Sequence, residues 1–182
     1  NSIGKEELEA AISVIKTGAL SPFLGSWPDI PNVGSFYGGE KVQEFEENLK
    51  NYFSVKYAIT VNSWTSGLIA ALGAIGIEPG DEVIVSPWTM SATATSILLW
   101  NAIPVFSDIE DETFNLDPIS IEKNITSQTK AIVVTNIFGH AARLNEIMSI
   151  ARKYNLKVIE DNAQSPGALY QGKYTGTVSD IG

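Results

Sequence analysis

The chain has 182 residues, enough to bury a core without covalent staples, and it contains no cysteine. Disulfides, iron–sulfur clusters, cysteine-zinc sites and thiol nucleophiles are therefore excluded, and a single histidine, His140, rules out a multi-histidine metal centre. Twelve Lys and Arg face 21 Asp and Glu, a formal charge of −9, which disfavours nucleic acid as a partner; no apolar run reaches membrane-spanning length.

The first element expected is a helix over Glu6 to Lys16, because Leu8, Ala11, Ile12 and Ile15 recur at i, i+3, i+4 and i+7 before Gly18. The stretch from Ala19 to Gly39 is rich in Pro and Gly yet carries Phe23, Trp27, Phe36 and Tyr37, so it reads as an irregular segment that packs on something. The expected division is a helix and aromatic loop over 1–38 followed by one α/β region over 39–182. Val42, Phe45, Leu49 and Tyr52 trace a second helical face.

From there the pattern alternates. Strands are expected at Tyr57 to Val61, Glu82 to Ser86, Ile103 to Phe106, Lys130 to Asn136 and Lys157 to Glu160. Helical stripes lie between them, one through Leu68, Ala71, Leu72 and Ile75, another through Leu144, Ile147, Met148, Ala151 and Tyr154. This rhythm predicts a three-layer α/β/α arrangement with a mainly parallel sheet. Ligands of such sheets sit at strand C-terminal ends, which restricts the candidates to Asn62 to Gly67, Ser86 to Thr89, Asp108, Asn136 to His140 and Asp161 to Gln164.

Three constellations stand out among these. In V-N-S-W-T-S-G-L the hydroxyls Ser63, Thr65 and Ser66 lie at a strand-to-helix junction, where free N–H groups and the helix dipole favour a phosphate; plain N-capping is the equally simple alternative. Trp88, in S-P-W-T-M, is expected to open the next helix at the mouth of the site, either stacking on a planar ring or packing at the rim. In V-I-E-D-N-A-Q an apolar strand ends on Glu160 and Asp161, with Gln164 close behind, and Asp161 either faces a ligand or caps a turn. His140 has no visible catalytic partner and reads as structural or pocket-lining. The chain has neither G-x-G-x-x-G nor G-x-x-x-x-G-K-[ST]. A phosphate cradle, a stacking aromatic and a carboxylate together suit pyridoxal phosphate, whose ring nitrogen a carboxylate would keep protonated.

With these residues in hand, the chain resembles the DegT/DnrJ/EryC1/StrS sugar aminotransferases, within the fold type I pyridoxal phosphate enzymes. The likeness runs through G-G-E-K-V-Q-E-F-E-E-N-L, N-S-W-T-S-G-L, G-D-E-V-I-V-S-P-W-T-M-S-A-T-A, P-V-F-S-D-I, D-E-T-F-N-L-D-P, T-K-A-I-V-V, V-I-E-D-N-A-Q and G-T-V-S-D-I-G, in that order. It implies that Thr65 and Ser66 bind the cofactor phosphate, Trp88 stacks on the pyridine, Asp161 pairs with the ring nitrogen and Gln164 approaches the phenolic oxygen. It further implies transfer of an amino group, typically from glutamate, to a keto group of a nucleotide-linked sugar, in a homodimer; the cytoplasm is the default expectation, because N-S-I-G-K-E-E-L-E-A shows no basic-then-apolar signal pattern.

The family usually has Gly where this chain has Trp64, and its Schiff-base lysine follows the D-I-G found here at Asp180 to Gly182. Lys130 and Lys157 open strands and so belong at the far end of the sheet. The expectation is thus the front part of a fold type I large domain, incomplete at its C-terminus, that supplies the cofactor floor and not the nucleophile. Two alternatives stay open: a sugar dehydratase of the same family, in which histidine replaces the lysine, and a truncated module that binds cofactor or nucleotide sugar without catalysis.

Overall fold

The computed structural model describes residues 2–18, 20 and 38–182. Phe23, Trp27, Phe36 and Tyr37, on which the expectation of a packed aromatic loop rests, lie outside the described residues. The chain forms two compact units, residues 1–60 and 61–182.

In the first unit, α1 (Lys5–Thr17) begins where Glu7 accepts the N–H of Gly4 at 2.7 Å and ends at Gly18, whose φ of 71° suits a residue without a Cβ. Helix α2 (Glu40–Phe53) follows, and Glu46 accepts both the N–H and the hydroxyl of Thr60, at 2.7 and 2.8 Å. The strand expected at Tyr57 to Val61 is not formed. A strand exists only when its backbone pairs with another strand, and among the described residues no strand pairs with this segment; Ile59 is 83% exposed.

The second unit is built on a four-stranded parallel sheet in the order β2-β1-β3-β4, comprising β1 (Glu82–Val85), β2 (Ile103–Phe106), β3 (Thr129–Thr135) and β4 (Lys157–Asp161). The side-chain period of two sorts the core residues onto opposite faces. Val83, Val85, Ala131, Val133 and Ile159 pack with Leu68, Ala71, Leu72 and Ile97 of α3 (Trp64–Ala74) and α4 (Ser91–Leu98). Ile84, Ile132, Val134 and Val158 pack with Ile121, Leu144, Ile147 and Ala151 of α5 (Pro118–Asn124) and α6 (Leu144–Tyr154). The sheet is thus the middle of three layers, as the alternating pattern predicts.

Strand β2 is an edge of this sheet, and Ile103 and Ser107 donate toward the β1 side, to Asp81 and Val85. Pro104 therefore turns its ring nitrogen to the open side, where no ladder donor is required. At the opposite edge the chain returns after a short hairpin, β5 (Leu169–Tyr170) and β6 (Lys173–Tyr174). Residues 180–181 then run parallel to β4, Glu160 donating its N–H to Ile181 at 2.8 Å.

Candidate functional site

At the C-terminal ends of β1, β3 and β4, a cavity of about 150 Å³ is lined by Trp64, Thr65 and Leu68 of α3, by Thr89, Met90, Ala92 and Thr93 after β1, and by Thr135, Asp161, Ala163 and Gln164. An apolar cavity of about this volume is known to accept a single benzene-sized ring. Thr135 and Asp161 are register partners in adjacent strands, and their position parity places both on the α3/α4 face.

Asp161 is 4% exposed, so its carboxyl group depends on nearby donors. The Thr93 hydroxyl donates to Oδ2 at 2.8 Å and the Ala163 N–H to Oδ1 at 3.3 Å. Two further hydroxyl contacts extend from Thr93, to Thr89 at 2.9 Å and from Thr89 to Thr135 at 3.0 Å. Gln164 accepts the N–H of Phe138 at its Oε1, 3.3 Å away, which leaves its amide NH₂ as the group to offer a ligand.

Helix α3 delivers Thr65 to the same cavity. Its N-cap is Ser63, whose Oγ accepts the N–H of Ser66 at 3.1 Å and lies 2.9 Å from the Ser66 hydroxyl. The capping role and the exposed helix end coexist: among the described residues the N–H groups of Trp64 and Thr65 have no acceptor. Trp64 is the first helical residue and needs no positive φ, so an indole is tolerated where the family usually has Gly. Half exposed, it forms one wall of the cavity.

Trp88 and Ser66 are not among the lining residues. Trp88 does not open a helix, contrary to expectation, because Ser86 closes a turn first: its Oγ accepts the Trp88 N–H at 3.0 Å, and α4 starts only at Ser91. The indole is 50% exposed, with its ring centre 6.2 Å from that of Phe114. Asp108 and the 136–140 segment lie outside the cavity too. Asn136 is buried in a polar cluster with Glu160 and Asn162, while His140 is exposed and borders a second concavity with Glu110, Asp111, Glu112, Thr113 and Arg143. Arg143 pairs there with Glu110 at 2.9 Å, and its guanidinium is held more firmly protonated by hydrogen bonds to Glu146 and Glu110.

Thr93, Thr135, Met90 and Leu68 escape a reading confined to residues just after each strand. Position parity would have found Thr135, which shares its face with Ala131 and Val133; Thr93 had no such signal, since its partner Thr89 lies in the turn before α4. Lys130 and Lys157 stand at the N-terminal ends of β3 and β4, as expected, with Lys157 paired to Asp180 at 3.1 Å. Among the described residues no lysine borders the cavity, no group of side chains could hold a metal ion, and no helix is long and apolar enough to cross a membrane.

Comparison with known proteins adds to this geometry. The model of the DegT/DnrJ/EryC1/StrS aminotransferase family matches residues 27–182. GDP-perosamine synthase of Caulobacter vibrioides is 43% identical over 151 residues, which is 83% of this chain and 39% of that protein. An aminotransferase structure from Psychrobacter cryohalolentis superposes with a TM-score of 0.86 at 34% identity, covering 97% of this chain and 41% of the other. A GDP-4-keto-6-deoxymannose-3-dehydratase, solved with a trapped PLP-glutamate geminal diamine, matches with a TM-score of 0.74 at 30% identity, over 78% of this chain and 38% of that one. The chain thus spans about two fifths of the length of these relatives.

Proposed function

Because the chain belongs to the DegT/DnrJ/EryC1/StrS aminotransferase family, we propose that it forms the cofactor-binding part of a pyridoxal phosphate-dependent aminotransferase acting on a nucleotide-linked keto sugar. The observation that carries this reading is the ring-sized cavity with a buried, donor-supported carboxylate, Asp161, in its lining. Pyridoxal phosphate bound there supplies an electron sink for the carbanion left when a proton leaves the substrate carbon.

The residues fit that guest. Asp161 keeps a proton on the ring nitrogen by offering it an anionic acceptor. Gln164 donates its amide NH₂ to the phenolic oxygen, its Oε1 being occupied by Phe138. Thr65, Ser66 and the unpaired N–H groups at the start of α3 hold the phosphate, where the helix dipole adds to the attraction. Glutamate is the proposed amino donor, a homodimer the proposed assembly and the cytoplasm the proposed compartment.

Pyridoxamine phosphate is the appropriate probe because its binding requires no lysine. Equilibrium dialysis should show saturable uptake by the protein, and Asp161→Ala should weaken it by at least about tenfold, the usual effect of losing a charge-assisted hydrogen bond. No uptake, or equal uptake by the variant, would overturn the reading. The similarity to the 3-dehydratase favours a second reading, a dehydratase using the same cofactor site. Incubation of the full-length protein with glutamate and a nucleotide-linked keto sugar separates the two, an amino sugar marking the transferase and loss of water the dehydratase.

A further inference from the structure

Three threonines from three separate elements converge on the buried carboxylate. Thr93 sits on α4 and is fully buried, Thr135 ends β3 at 4% exposure, and Thr89 lies in the turn between β1 and α4. Their hydroxyl oxygens form an unbroken line, with Thr135 to Thr89 at 3.0 Å, Thr89 to Thr93 at 2.9 Å and Thr93 to Asp161 Oδ2 at 2.8 Å.

The direction of this line follows from counting protons. A hydroxyl has one proton to give, and in this contact Thr93 gives its proton to Asp161 Oδ2. Thr93 can then only accept from Thr89, and Thr89, its own proton spent, can only accept from Thr135. All three dipoles therefore point at the carboxylate, each polarising the next. With Oδ2 engaged by Thr93 and Oδ1 by the Ala163 N–H, the carboxylate plane is fixed, while the remaining lone pairs are left for whatever enters the cavity that Asp161 lines.

We infer that Thr93, backed by Thr89 and Thr135, is the positioning residue that aims Asp161 at the ring nitrogen of the bound cofactor. The inference rests on the proposed function, since it needs a ring nitrogen for Asp161 to meet. Thr93 also lines the cavity, so its action through Asp161 is read from the difference between ligands with and without that nitrogen.

Two probes that differ at one atom test this: pyridoxamine phosphate, and its carbocyclic analogue with CH in place of the ring nitrogen. The wild-type protein should prefer the nitrogen-bearing probe by about tenfold or more. Thr93→Val, which removes the hydroxyl and keeps the shape, should cut that preference by about tenfold, and Thr93→Ser should retain it. Thr89→Val, one link further back, should reduce it by a smaller factor, and it keeps the test decisive if Thr93→Val folds poorly. Equal weakening of both probes by Thr93→Val would mean packing alone and would overturn the inference, as would an unchanged ratio. If the wild-type protein bound neither probe, the proposed function itself would fall, and the inference with it; binding of both probes equally by the wild type would remove the role of Asp161 and overturn the inference while leaving cofactor binding standing.

Discussion

Replacing Glu160 with Gln should unfasten the returning segment of chain beside β4. Glu160 is 1% exposed and accepts four hydrogen bonds: Val178 N–H and Ser179 N–H at Oε1, 2.9 and 3.0 Å, and Gly176 N–H and Asn136 Nδ2 at Oε2, 2.8 and 3.0 Å. All four partners are donors, so whichever way the Gln amide is turned, its NH₂ meets two of them. A buried donor deprived of its acceptor costs about 1–3 kcal/mol, so the substitution should remove about 2–6 kcal/mol. That is a large share of the roughly 5–15 kcal/mol that holds a typical domain folded. Urea unfolding followed by circular dichroism would measure the loss, and amide hydrogen exchange would localise it. The amides of Gly176, Val178 and Ser179 should exchange faster while those in the middle of β3 keep their relative protection. A loss below about 1 kcal/mol, within the range of an ordinary surface change, would refute the view that this carboxylate is what anchors residues 176–179.

Gly73→Ala should destabilise, although Ala favours a helix by about 1 kcal/mol, because the added Cβ would fall 2.4 Å from Trp100 Cζ2. That indole is held by its Nε1–H bond to Ile69 O at 2.9 Å, so overpacking of about 1–3 kcal/mol should prevail, and a raised thermal midpoint would contradict it. The Lys153 hydrogen bond, followed by that of Tyr154, holds the Glu122 carboxyl below its usual range. A lowered carboxylate adds stability above its unfolded-state value, and that stability is lost as pH falls through the folded-state value. Carbon-13 NMR titration should therefore place the Glu122 midpoint below that of an ordinary glutamate and return it upward in Lys153→Ala; coincident curves would argue against the pair.

Much of the layered fold is legible in the sequence because hydrophobic period reports which face of an element is covered. Four of the five expected strands form within a residue or two of their expected bounds, and the stripe of Leu68, Ala71 and Leu72 packs where its spacing implies. Tyr57 to Val61 failed because a strand is a relation between two segments, and an apolar, β-prone run carries no information about its neighbour. Trp88 was misplaced by local chemistry, the Ser86 turn delaying a helix that composition alone would begin sooner.

The candidate site divides in the same way. By itself the sequence determined the residue types at the strand ends, Thr65, Gln164 and the Glu160-Asp161 pair among them, and these suffice to suggest a phosphorylated ring. What only the tertiary structure decided is which of those groups meet. Adjacent residues in a strand point to opposite faces, so the two carboxylates part company: Asp161 enters the cavity under α3 and α4, while Glu160 turns away to bind the amides of residues 176–179. The line from Thr135 through Thr89 and Thr93 to Asp161 spans 46 residues in its first step and 68 in its last, and such long-range contacts arise only when the sheet order brings β1, β3 and β4 together.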